Sequence, residues 1–159
     1  MALFDPREML KMAIMDEETG ISFYKALAAI ARRPDVQSQC IAIAGQEEVH
    51  ATRFKKMLDA LGDYRPAGEE YAGQHEAYLQ ALLESRTFLD PNQAAEGARA
   101  ANNDGEAVDI AMRFEKDALA FLLEVREVVP PANRRLVKAV IDEERHHLVE
   151  LARLRQTLI

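Results

Sequence analysis

The chain has 159 residues, enough for one domain with a substantial buried core, and its net charge of −7 argues against nucleic acid as a partner, since phosphate recognition needs clustered Lys and Arg. Ala, Leu, Glu, Arg and Met are abundant and Trp is absent, which favours helices over sheet. No apolar run reaches the length of a membrane span, the start through Asp5 lacks a secretory pattern, and the single cysteine, Cys40, has no partner for an intramolecular disulfide, so a cytoplasmic protein without a membrane partner is expected.

Asp5 followed by Pro6 reads as a helix cap and first helical residue, and the stripe Leu10, Ile14, Glu17, Ile21, Tyr24, Ala28 predicts helix to about Arg32. Pro34 restarts the chain. A second helix over about 35–61 therefore folds back antiparallel to the first, with the stripe Val36, Cys40, Ile43, Glu47, His50, Phe54, Met57, Leu61, until Gly62 ends it. A connection of some forty residues follows. It is expected to hold a helix at 69–86, with Tyr71, Tyr78, Leu82 and His75 on related faces, and a short helix from Asp90-Pro91 that Asn102-Asn103-Asp104-Gly105 breaks. A third long helix over about 105–128 carries Val108, Met112, Glu115, Leu119 and Leu122; Pro130-Pro131 forces a tight return into a fourth, about 132–157, with Val140, Glu144, His147, Leu151, Leu154 and Leu158. The long connection lets the second and third helices run parallel, which is the ferritin-like form of an all-α four-helix bundle.

Four of these stripes are interrupted by polar residues at core positions. An unpaired carboxylate in an apolar interior is costly, so Glu17, Glu47, His50, Glu115, Glu144 and His147 need an explanation. Glu-x-x-His supplies one, because residues three apart on a helix share a face and reach one metal ion. A single copy arises easily by chance in a chain with 27 Asp and Glu, but here Glu47-x-x-His50 recurs as Glu144-x-x-His147, 97 residues on, and Glu17 recurs as Glu115, 98 residues on. The chain is thus two similar helical pairs, each with a lone Glu and then a Glu-x-x-His. Four carboxylates and two neutral imidazoles are neutralised by two divalent cations, and mixed oxygen and nitrogen ligands suit iron or manganese, with zinc also able to bind. No Lys or Arg lies on the stripes near them to pair the acids instead. Glu48 and Glu143 fall on other faces and are expected to be solvated; His146 lies off the stripe that His147 continues; Tyr24, seven residues after Glu17, is either core or a donor to a ligating carboxylate.

The run Ala13-Ile14-x-x-Glu17-x-x-Gly20-x-x-Phe23-Tyr24, with Glu47-x-x-His50, Glu115-Lys116-Asp117-Ala118-Leu119-Ala120-Phe121 and Glu144-x-x-His147, resembles the rubrerythrin branch of the ferritin-like superfamily over nearly the whole chain. The resemblance implies a di-iron site and reduction of hydrogen peroxide, or of dioxygen, with electrons from a rubredoxin-type donor. Two departures stand out. With one cysteine the chain lacks the four-cysteine iron centre of rubrerythrins proper, so a single domain over 1–159 without a rubredoxin part is expected and the donor is a separate protein. The family's further carboxylate three residues after the third-helix ligand is Ala118 here. The alternative to an oxidoreductase is a non-enzymatic protein that binds or buffers iron or another divalent metal. Apolar Leu82, Leu83, Phe88, Leu89, Met9, Met12 and Met15 on the expected outer faces predict a homodimer.

Overall fold

A computed structural model describes residues 5–65 and 74–158, except the side chains of Gln74 and His75, and shows no strand among them. Helices α1 (Pro6–Ile30), α2 (Pro34–Ala60), α3 (Gln74–Glu84), α4 (Pro91–Ala100), α5 (Asp104–Val128) and α6 (Arg134–Gln156) follow in order, with a 3₁₀ turn at Pro131–Asn133 before α6. The expectations at Tyr71, at His75 and over 69–73 lie outside the described residues.

The ends form where side chains satisfy them. Asp5 accepts from Arg7 N at 2.8 Å, Asp90 from Asn92 N and Gln93 N, and Asn103 from Glu106 N at 2.9 Å. After α2 the chain turns through Gly62 at φ 57, a left-handed conformation that costs a glycine little. Helix α1 stops at Ile30 rather than Arg32. The reason is Asp104, buried in the first turn of α5, whose carboxylate takes the N–H groups of Arg32 and Arg33 at 3.1 and 2.8 Å and so holds the α1–α2 turn out of helix.

Helix α1 packs along α2 and α5 along α6, while α4 lies against α1. The buried apolar residues divide into two clusters. One joins the C-terminal half of α1 (Phe23, Tyr24, Leu27) to the N-terminal halves of α2 (Val36, Cys40, Ile43) and α5 (Val108, Ala111, Phe114) and to Leu151 of α6. The other joins Met9, Leu10 and Ala13 to Phe54, Met57, Phe121, Leu122, Val125, Val137, Val140 and Ile141. These memberships make α2 and α5 parallel, the ferritin-like arrangement, and place a polar layer between two apolar ones.

The crossover refines one expectation and corrects another. On α3 the core-facing set is Leu79, Leu82 and Leu83, the apolar i, i+3, i+4 pattern, while Tyr78, expected on a face related to that of Leu82, is 46% exposed. Much of the surface that suggested a homodimer is internal: Met9 is fully buried, Met12, Leu82 and Leu83 pack on the core, and Phe88 packs against Phe23 and Phe114 at 5.3 and 6.0 Å between ring centroids, leaving Met15 and Leu89 exposed. Phe88 fits because residue 97 is glycine. A Cβ there would lie 2.8 Å from Phe88 Cζ, so Gly97→Ala is expected to destabilise by about 1–3 kcal/mol through overpacking, read as a lower thermal midpoint.

Candidate metal centre

The polar layer consists of the six residues that interrupt the stripes. Glu17, Glu47, His50, Glu115, Glu144 and His147 are 0–4% exposed, each held inward by the apolar residues a turn to either side. They form two overlapping groups of atoms close enough to hold a metal ion: Glu17, Glu47, His50 and Glu144, and Glu47, Glu115, Glu144 and His147. Glu47 and Glu144 are common to both. His50 Nδ1 lies 2.7 Å from Glu144 Oε1, 3.4 Å from Glu17 Oε2 and 3.5 Å from Glu47 Oε2. His147 Nδ1 lies 2.9, 3.4 and 3.8 Å from oxygens of Glu144, Glu47 and Glu115. The two imidazole rings stack with centroids 5.9 Å apart.

Without a cation the layer is held by protons. Burial pushes the Glu17 and Glu115 carboxyls well above the usual range, reinforced by the nearby charges of Glu47 and Glu144 respectively. Burial pulls the imidazoles down, but the surrounding carboxylates outweigh it: His50 is raised far above its ordinary value and His147 to about 12. Glu47 is held well below the usual range, its burial overcome by Glu17 and the two histidines. Proton sharing does not satisfy every atom. Glu47 Oε1 and Glu115 Oε2 are buried with no hydrogen-bond partner, and His50 Nδ1 and Glu144 Oε1, though 2.7 Å apart, are not aligned as a hydrogen bond; all four residues belong to the ligand groups. Orphaned oxygen and nitrogen atoms converging in this way are what a pair of hard or borderline divalent ions would satisfy.

Around the layer, one open alternative is resolved and one expectation corrected. Tyr24 is fully buried and its hydroxyl donates to Glu115 Oε1 across the bundle. Glu143 is not simply solvated: its Oε2 accepts from His50 Nε2 at 2.7 Å and its Oε1 from Arg53 Nη1 at 2.8 Å. The residue before Glu144 thus reaches α2, although its side chain stays 37% exposed. The equivalent residue before Glu47, itself exposed, reaches α6 in the other direction, with Gln46 Oε1 accepting from His147 Nε2 at 2.5 Å. Gln46, Arg53 and Glu143 are the contacts sequence reasoning missed; the available signal was that both repeats place a polar acceptor immediately before the Glu-x-x-His. Glu48 behaves as expected, paired with Lys25 at 2.6 Å with both side chains more than half exposed, and His146 is 64% exposed.

Ala118 lines a small cleft with Asp16, Arg86, Phe88, Phe114 and Asp117. Arg86 pairs with Asp16 at 2.6 Å and stands 4.5 Å over the Phe121 ring, and Asp117 accepts from both N and Oγ1 of Thr87, so these charges fasten the crossover to α1 and α5. Among the described residues no helix is long and apolar enough to cross a membrane.

No curated protein sequence matches the chain. A solved structure from Thermotoga maritima, described as a ferritin-like diiron-carboxylate protein, aligns with 97% of this chain and 96% of its own at 25% identity and a TM-score of 0.72. With that fold, a buried Glu and His layer shared by both helical pairs, and a match to the Rubrerythrin family model over residues 8–155, the chain belongs to the Rubrerythrin family.

Proposed function

We propose that the buried layer holds two iron ions and that the protein is an oxidoreductase, reducing hydrogen peroxide or dioxygen with electrons from a separate donor protein such as a rubredoxin. The observation that carries this is the convergence of buried carboxylate oxygens and imidazole nitrogens in two overlapping groups, with Glu47 Oε1 and Glu115 Oε2 left without a hydrogen-bond partner. Glu17 and His50 would hold one ion, Glu115 and His147 the other, and Glu47 and Glu144 both. Bound iron would supply the electrons for the two-electron reduction, while the protein surrounds the six side chains with two apolar layers and fixes their positions. Manganese and zinc fit the same donors, so iron is the reading of the family and the donor set together.

A second reading, an iron-binding or buffering protein without turnover, is favoured by Ala118, which leaves hydrocarbon where the resemblance leads one to expect a further carboxylate. The deciding experiment is to load the apo-protein anaerobically with ferrous iron and mix it rapidly with peroxide or dioxygen. Stoichiometric oxidation with turnover on adding reductant supports the enzyme; oxidation without turnover supports the buffer.

Metal uptake must displace the protons described above. Loading two divalent ions at neutral pH is expected to release about four protons, one each from Glu17, Glu115, His50 and His147, measured by calorimetry in buffers of different ionisation enthalpy. The signs follow from the direction of each shift. Groups whose pKa is raised on folding stabilise the metal-free fold at low pH and lose that contribution as pH rises through the folded value, about 12 for His147. Metal binding has the opposite dependence. Mild acid should therefore exchange metal for protons and leave the helices intact, so circular dichroism stays constant while metal is released.

The homodimer remains part of the proposal. Its apolar surface is now Ile41 and Val49 on α2 and Leu136 and Val149 on α6, which are 46–60% exposed. Light scattering that returns the monomer mass would remove it.

A further inference from the structure

The two halves of the site are related by the repeat, but their surroundings are not. Behind His50 the acceptor on Nε2 is the Glu143 carboxylate; behind His147 it is the neutral amide oxygen of Gln46. A carboxylate acceptor makes an imidazole a stronger donor to metal than an amide does, and Arg53, bound to the other oxygen of Glu143, tempers that charge without cancelling it. A second difference points the same way. Tyr24 donates to Glu115 and so withdraws charge from that carboxylate, whereas the residue that matches Tyr24 in the second repeat, Leu122, is hydrocarbon and offers Glu17 no donor. Both differences enrich the side of Glu17 and His50 and impoverish the side of Glu115 and His147.

We propose that the two metal positions are unequal by construction, that the position of Glu17 and His50 binds more tightly and fills first, and that Glu143 and Gln46 are the positioning residues that set the order. This rests on the di-metal reading above. Glu143 and Gln46 occupy equivalent places in the repeat and differ by one functional group, so exchanging that group leaves shape and packing nearly unchanged.

The test is calorimetric titration of the full-length apo-protein with Co²⁺, comparing wild type with Glu143→Gln and Gln46→Glu after thermal unfolding shows all three equally folded. Repulsion between neighbouring cations separates the two binding steps even at equal positions, so the sign of the change decides rather than the gap itself. If the position of Glu17 and His50 is the tighter, Glu143→Gln weakens the first step and Gln46→Glu strengthens the second, each narrowing the gap by about tenfold, the usual effect of a residue that supports a ligand. If the positions are equal, or ordered the other way, both variants widen the gap. Widening, or no change, with two ions bound overturns the inference alone. Binding of fewer than two ions by wild type overturns the di-metal reading and the inference with it.

Discussion

Glu47→Ala is expected to lose both metal ions, whereas Glu48→Ala, one residue further on, keeps them. Glu47 is a member of both ligand groups, so its removal leaves each with three donors, and one of the compensating charges between the two imidazoles disappears. Leaving buried charge uncompensated costs about 3–5 kcal/mol, so the alanine variant should also unfold at lower temperature in the metal-free state; Glu47→Gln, which keeps the shape, separates loss of ligation from loss of fold. Glu48 reaches only Lys25 at the surface, an ion pair whose removal costs about 0–1 kcal/mol. Metal content after loading and dialysis, read beside helical content, checks the pair. Retention of two ions by Glu47→Ala would remove that residue from the site.

The second large effect uses the adjacent histidines of α6. His147→Ala removes the sole imidazole of its ligand group and is expected to weaken that position by more than the 10–100-fold typical of residues that merely support a ligand, while His146→Ala keeps two ions bound and changes stability by less than about 0.5 kcal/mol. The contrast follows from placement. His147 is 1% exposed with Nδ1 among three carboxylates, and His146 points outward, its side chain 64% exposed and Glu150 3.9 Å away. Metal titration of the two variants side by side decides it. A loss confined to His146→Ala would mean that α6 is out of register by one residue.

What could be read beforehand and what could not divide along a physical line. A helix's apolar stripe is a local property of spacing, so the four long helices and the inward direction of Glu17, Glu47, His50, Glu115, Glu144 and His147 were visible in the periodicity, and the repeat strengthened them. Contacts between helices depend on axial rotation and on how closely two helices approach, neither of which spacing supplies. Glu143 sits about a hundred degrees around the helix from Glu144, and whether that direction means water or α2 is decided by packing. Tyr24 posed the same difficulty. Its position on the stripe of Glu17 left core packing and donation to a ligating carboxylate both open, and only the packing shows that the hydroxyl reaches Glu115 on α5. Asp104 looked like part of a helix-breaking run, and only the fold shows that its carboxylate ties down the turn between α1 and α2.

Cys40 lies in the apolar layer beside the candidate metal centre, fully buried, and burial, together with the negative charge of Asp104, pushes its thiol up to about 12. Thiolate, not thiol, is the form that oxidants attack, and at neutral pH a group with that value is ionised in only about one molecule in 10⁵. The chain's one sulfhydryl is therefore kept off the path from thiol to sulfenic acid and beyond, although it is housed one layer from a site proposed to meet peroxide. The same burial that makes Cys40 useful as packing also keeps it unreactive.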